Sequence, residues 1–186
     1  MFKAPDMRGY FAIGIDGVSK AGNMGNLIRT AHGFGASFCY AVNPQYGNKP
    51  FSDTAKSAAQ VPYYEYETIG DMHLPKGCRL VGIEISDDAV DLPTFRHPHQ
   101  AAYVLGSERM SLSDEVMERC DHVIKIPTKF SLNVATAGAI VMYDRVLTLG
   151  KFLERAATPS APVPQRKDHV RGGPRLRSIQ NTKDQK

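Results

Sequence analysis

At 186 residues, 42% of them hydrophobic, the chain suits one domain with a substantial core, or one domain and a tail. Its net charge is +4, and its best apolar run, Leu132–Tyr143, stops at Asp144 and Arg145, well short of a membrane span. The first residues lack the apolar core of a secretion signal, and Cys39, Cys78 and Cys120 stand far apart with no CxxC pair, so reduced thiols in the cytoplasm are expected, with neither a disulfide framework nor a cysteine zinc site.

Tyr10–Ile15 alternates and is β-prone, ending at Asp16-Gly17, which predicts a strand and then a loop. Met24 to His32 carries Leu27, Ile28 and Ala31 at helical spacing, with Gly33 and Gly35 suited to its exit. Ser37–Val42 reads as a second strand closed by Asn43-Pro44. Asp53–Gln60 is expected to be a short Ala-rich helix capped by Ser52 or Asp53. Tyr63–Tyr66 is a weak strand and Arg79–Ile85 a stronger one, while Ala101–Leu105 has the apolar run of a buried strand. Ser111 and Ser113 are placed to cap a helix running through Arg119, with Asp114 and Glu115 in its first turn. His122–Ile126 is the last strand, and a long helix follows from Leu132 to about Leu153. The small residues in its first half, Val134, Ala135, Ala137, Gly138 and Ala139, permit close backbone approach in a core, at a subunit interface, or in both.

Strands alternating with helices predict an α/β fold, with a mostly parallel sheet flanked by helices. The domain is expected to span residues 1–155, followed by a tail from 156 to 186. The tail is rich in Pro, Arg and Gln, and its composition predicts a flexible segment. It holds seven Lys or Arg against two Asp, so it carries +5 and leaves residues 1–155 at −1. Arg166, Lys167, Arg171, Arg175 and Arg177 are therefore the candidate cationic contacts to a polyanion such as RNA. His97-Pro98-His99 is the histidine cluster; with no carboxylate or thiolate neighbours in sequence to complete a ligand set, a solvated loop is expected and no metal site.

The commonest function of such a fold, dinucleotide binding, needs G-x-G-x-x-G after the first strand, and here Gly17, Gly22 and Gly25 fall at other spacings. Neither a nucleophile elbow nor a Walker loop is present, which sets hydrolase and NTPase functions aside. Three other segments stand out. Asn23-Met-Gly25-Asn-Leu-Ile-Arg29-Thr-Ala31 follows the first strand, Leu105-Gly106-Ser107-Glu108 ends a middle strand, and Ile126-Pro127-Thr-Lys-Phe-Ser131-Leu-Asn133-Val134 leads from the last strand into the last helix. Open α/β sheets bind ligands at the carboxyl ends of their strands, so the three can converge on one pocket.

Together these segments resemble the three motifs of the SpoU/TrmH family of RNA ribose 2′-O-methyltransferases, within the SPOUT superfamily, and the resemblance covers residues 10–153. It implies a domain with a C-terminal trefoil knot that binds S-adenosylmethionine, works as a homodimer and needs no metal. Compact members of the family mostly modify tRNA, so the resemblance favours tRNA over ribosomal RNA. The scaffold serving as a non-catalytic RNA-binding module is the alternative. Two features depart from the family pattern: only Thr128, Lys129 and Phe130 separate Pro127 from Ser131, and Arg109, Met110 and Ser111 stand where glycines usually follow the glutamate.

The resemblance marks Asn23, Arg29, Glu108, Ser131 and Asn133 as catalytic candidates. Arg29 can stabilise charge growing on the ribose oxygen and anchor an RNA phosphate through its fork. In related enzymes this arginine has been cast as the general base, a role that a guanidinium, which hardly deprotonates, fills poorly. Asn23 can orient Arg29 or the ribose, or make an Asx-turn; Glu108 can pair with Arg29 or position substrate. Ser131 and Asn133 can hold the nucleotide or shape the cofactor loop, or Ser131 can simply cap the helix. Backbone groups near Leu105, Gly106, Ile126 and Leu132 are the expected cofactor contacts.

Overall fold

Tyr10–Asp16 forms β1, and its alternation sends Phe11, Ile13 and Ile15 to one face of the sheet and Ala12 to the other. The computed structural model, which describes residues 9–47, 60–108 and 110–150, continues with α1 (Ala21–Phe34), β2 (Phe38–Val42), β3 (Tyr63–Tyr66) and β4 (Arg79–Ile83). Then come β5 (Val90–Asp91), β6 (Gln100–Leu105), α2 (Asp114–Arg119), β7 (His122–Lys125) and α3 (Val134–Leu149). Among these residues the sheet runs β3-β2-β1-β6-β4-β7-β5, and every neighbouring pair is parallel. The expected helix over Asp53–Gln60 falls almost wholly outside the described residues, as do Arg109 and the tail with Arg166, Lys167, Arg171, Arg175 and Arg177.

Parallel strands need both faces covered. On one face α1 and α3 bring Met24, Leu27, Ile28, Val141 and Met142 onto Ile13, Tyr103 and Leu105. On the other, Val116 of α2 joins Ile69, Met72 and Leu112 against Ala12, Ala102 and Val104. The α1–α3 contact depends on one small residue. A methyl group at Gly138 would stand 2.5 Å from Cδ1 of Leu27 and 3.3 Å from Cδ1 of Ile13, so Gly138 is a core position.

Element ends follow local chemistry. Gly35, at φ 77°, closes α1 with its N–H on the carbonyls of Ala31 and His32, while Gly33 lies inside the helix. The last helix starts two residues later than expected, because the side chain of Asn133 accepts from the N–H groups of Ala135 and Thr136 and caps it. Ser131 makes no such cap.

Two expectations are corrected. Ser113 precedes α2 but does not cap it with its side chain; instead its N–H and hydroxyl both donate to Asp16 Oδ2, at 2.8 and 2.7 Å. The buried carboxylate at the end of β1 takes both donors in charge-assisted bonds, which turn the Ser113 hydroxyl toward the sheet. His97, expected in a solvated loop, is 3% exposed. Its Nδ1 lies 2.6 Å from the Tyr103 hydroxyl and its Nε2 3.0 Å from Asp144 Oδ2.

The same polar cluster buries Arg145, which is 1% exposed. Its guanidinium donates to the carbonyls of Pro98 (2.6 Å), His99 (2.8 Å) and Tyr10 (3.2 Å) and to the Tyr103 hydroxyl (3.1 Å). These groups lie at the starts of β1 and β6, so α3 is pinned at the edge of the sheet opposite the strands' carboxyl ends. With Arg145 donating to the Tyr103 oxygen, the tyrosine proton is free to go to His97 Nδ1, which leaves Nε2–H to donate to Asp144. Burial holds the His97 pKa below the ordinary histidine value, with Asp144 opposing, so the imidazole is neutral near pH 7.

Candidate active site

At the carboxyl ends of β4, β6 and β7 the sheet opens into a cleft of about 490 Å³. Ile83, Leu105, Ile126, Leu132 and Val134 supply its apolar wall, and Glu84, Glu108, Ser131 and Asn133 its polar groups. All four expected cofactor contacts, Leu105, Gly106, Ile126 and Leu132, line it. A cleft of this volume, with an apolar wall facing convergent polar groups, is that of a small-molecule site.

Three of the catalytic candidates are joined by hydrogen bonds. Asn23, in the first turn of α1, donates from Nδ2 to Glu108 Oε1, and Ser19 donates to Glu108 Oε2 at 3.1 Å. Asn133 Nδ2 in turn reaches Asn23 Oδ1 at 3.3 Å. Glu108 therefore has its carboxylate on Ser19 and Asn23, and Asn23 spends its amide on Glu108 and Asn133. Arg29 sits at an exposed position six residues along α1 from Asn23, roughly 9 Å along the helix axis, and does not line the cleft. Ser131 lines the cleft beside Asn133 and is exposed.

The segment after β6 is shaped by carboxylates. Glu84, the residue after β4, accepts the N–H of Leu112 on Oε2 at 2.8 Å and the N–H of Ile85 on Oε1 at 2.9 Å. Asp16 takes Ser113. Between them the chain folds back so tightly that a Cβ on Gly106 would lie 2.8 Å from the Met110 carbonyl oxygen. A glycine is required there by the close approach of backbone.

Glu84 and Lys20 line the cleft and were not singled out from the sequence. Glu84 has a faint signal, a lone carboxylate between Ile83 and Ile85 at a strand end. Lys20 has none beyond its place just before the Asn23 segment. Among the described residues, no group of three or more His, Cys, Asp and Glu side chains is placed to hold a metal, and no helix is long and apolar enough to cross a membrane.

Comparison with other proteins identifies the family. The SpoU rRNA methylase family matches residues 10–143. The tRNA (guanosine(18)-2′-O)-methyltransferase of Thermus thermophilus is 26% identical over 139 residues, covering 70% of this chain and 71% of the relative. The enzyme of the same name from Escherichia coli is 30% identical over 134 residues, covering 68% of this chain and 58% of the relative. Among solved structures, the AdoMet-bound rRNA methyltransferase of Sinorhizobium meliloti superposes with a TM-score of 0.67 at 25% identity, over 79% of this chain and 59% of that one. The chain thus spans about three-fifths of the length of two of these three relatives. With the family matched across both the helices and the strands that build the cleft, the chain belongs to the SpoU rRNA methylase family.

Proposed function

We propose that the protein transfers a methyl group from S-adenosylmethionine to a ribose 2′-hydroxyl of RNA, with tRNA favoured over ribosomal RNA. The observation that carries this reading is the hydrogen-bonded set Asn133–Asn23–Glu108 at the rim of a cleft with one apolar wall. It brings together residues from three distant motifs. Family membership and two relatives named as tRNA 2′-O-methyltransferases support the reaction and the substrate class.

The cleft fits the cofactor. Ile83, Ile126 and Leu132 offer an apolar surface to a purine, and Gly106 lets the 106–112 backbone fold against the strand end that borders it. When bound, the cofactor supplies an electrophilic sulfonium methyl. The protein has to orient the ribose, exclude water and stabilise charge on the attacking oxygen. Asn133 and Ser131 hold the ribose side of the site, and Glu108 fixes Asn23 in place. Arg29, outside the cleft lining, meets an RNA phosphate or the reacting oxygen from the α1 side through its charge.

We further infer a symmetric dimer along α3, where the large apolar side chains Ile140 and Tyr143 are 36% and 56% exposed. A trefoil knot in the β7–α3 region accords with β7 lying three strands from β1 while α3 packs on α1. The cytoplasm is the proposed location, and the cationic tail the proposed second RNA contact.

The deciding experiment incubates the protein and labelled cofactor with total RNA and maps the methylated position. A 2′-O-methylated nucleotide in tRNA is expected. Cofactor binding without methyl transfer to any RNA would favour a non-catalytic RNA-binding module on the same scaffold.

A further inference from the structure

Glu84 has a hydrogen-bonding capacity that its structural bonds do not fill. A carboxylate offers about four acceptor positions. Here two are taken, by the N–H groups of Leu112 at 2.8 Å and Ile85 at 2.9 Å. The side chain still lines the cleft, and its residue is only half-buried. A tether alone has no need of a carboxylate open to the cleft.

Its position says which part of a ligand it meets. The Asn133–Asn23–Glu108 set gathers at the N-termini of α1 and α3, on the β1 side of β6. Glu84 follows β4, on the far side of β6. Two strand spacings, roughly 9–10 Å, separate β1 from β4 across the sheet. Around Glu84 the wall is Ile83, Ile85 and Ile126, which suits an aromatic base. The methyl-donating half of the cofactor belongs at the polar end, so the nucleoside half belongs here. Within a nucleoside, the donor pair that matches the two oxygens of one carboxylate is the vicinal 2′,3′-diol of the ribose.

We propose that Glu84 is a cofactor-selecting residue, whose carboxylate accepts the ribose hydroxyls of the adenosyl group while holding Leu112 in place. The inference rests on the methyltransferase reading above. It makes the 106–112 segment and the ribose share one anchor, so the wall that borders the cofactor is ordered by the group that recognises it.

The test is a cycle between protein and ligand. Wild type and Glu84→Gln are titrated calorimetrically with S-adenosylhomocysteine, which cannot react, and with its 2′-deoxy and 3′-deoxy analogues. Loss of a hydroxyl is expected to weaken wild-type binding roughly tenfold or more, since a hydrogen bond to a charged acceptor is lost. Glu84→Gln should bind S-adenosylhomocysteine more weakly and discriminate much less between it and the deoxy analogues. Equal weakening of all three ligands by Glu84→Gln, with discrimination intact, would show that Glu84 acts only through Leu112 and overturn the proposal. Should the variant fail to fold, the wild-type comparison still decides: indifference to both hydroxyls overturns it. A wild type that gives no isotherm with S-adenosylhomocysteine overturns the methyltransferase reading itself, and the proposal with it.

Discussion

Asn133 donates from Nδ2 to Oδ1 of Asn23 at 3.3 Å, a bond between residues 110 positions apart. The same Asn133 caps α3 through its other amide atom. One side chain thus starts the last helix and closes the rim of the cleft against the first. Asn133→Ala should cost about 1 kcal/mol of stability through the lost cap. Asn133→Ser restores a capping oxygen but provides no amide N–H for Asn23. It should recover the stability while turnover stays roughly tenfold or more below wild type. Denaturation midpoints and methyl-transfer rates on the two variants separate the roles, and normal turnover in Asn133→Ser would remove the Asn23 bond from catalysis.

Arg29→Ala should lower turnover by roughly a hundredfold or more with cofactor affinity nearly unchanged, because Arg29 stands outside the cleft lining. Calorimetry and single-turnover rates measured together check this. A loss of cofactor affinity equal to the loss of rate would place Arg29 at the cofactor instead.

The two kinds of small or exposed residue on α3 should behave differently. Tyr143→Glu puts charge on a half-exposed position, gives up the edge-to-face contact with Phe34, and should dissociate a dimer in sedimentation at micromolar concentration while the chain stays folded. Gly138→Val drives a side chain into Leu27 and should lower stability by about 1–3 kcal/mol whatever the oligomeric state. A wild type that sediments as a monomer would refute the interface.

Lowering the pH should destabilise the fold through His97. Its folded pKa is depressed by burial, while the unfolded side chain titrates near 6.5, so the unfolded state takes up the proton first as pH falls. The contribution is full above about pH 6.5 and is lost as pH drops through the folded pKa. The groups facing the ring are Tyr103, Asp144, Arg145 and Phe95. Melting temperatures at pH 5, 6 and 7 should fall less steeply in His97→Phe than in wild type, even if that variant starts lower. Parallel slopes would mean that His97 does not titrate in this range.

Deleting residues from Thr158 onward removes all seven cations of the 156–186 segment. Cofactor binding should be unchanged, RNA affinity should fall, and its dependence on salt should flatten. An unchanged salt slope would leave RNA recognition to the domain alone.

What the sequence made legible was what local chemistry decides. β1, β6 and the end of α1 at Gly35 follow from alternation, apolar runs and a glycine exit, while α1 starts three residues before the expected Met24, at Ala21, where no capping side chain marks it. Leu105, Gly106, Ile126 and Leu132 were marked by the family resemblance of the segments that carry them, and all four line the cleft. Arg145 was legible only as a charge that ends an apolar run. Its partners are backbone carbonyls of residues 10, 98 and 99, and no residue type announces those. His97 was hidden for a related reason, since its partners Tyr103 and Asp144 come from β6 and α3 and not from its own loop. β5 spans two residues, too few to carry a period.

The carboxylates that fold the chain between Gly106 and Ser113 have one more implication. Asp16 and Glu84 grip the main-chain N–H groups of Ser113 and Leu112, while Glu108 is gripped from α1. The contour of this border is therefore written largely in β1, β4 and α1, and only in small part by the side chains that the border displays. Met110 and Ser111 line the cleft on a frame that is anchored elsewhere. Exchanging either side chain is a route to reshaping the cleft wall while the backbone that carries it stays anchored.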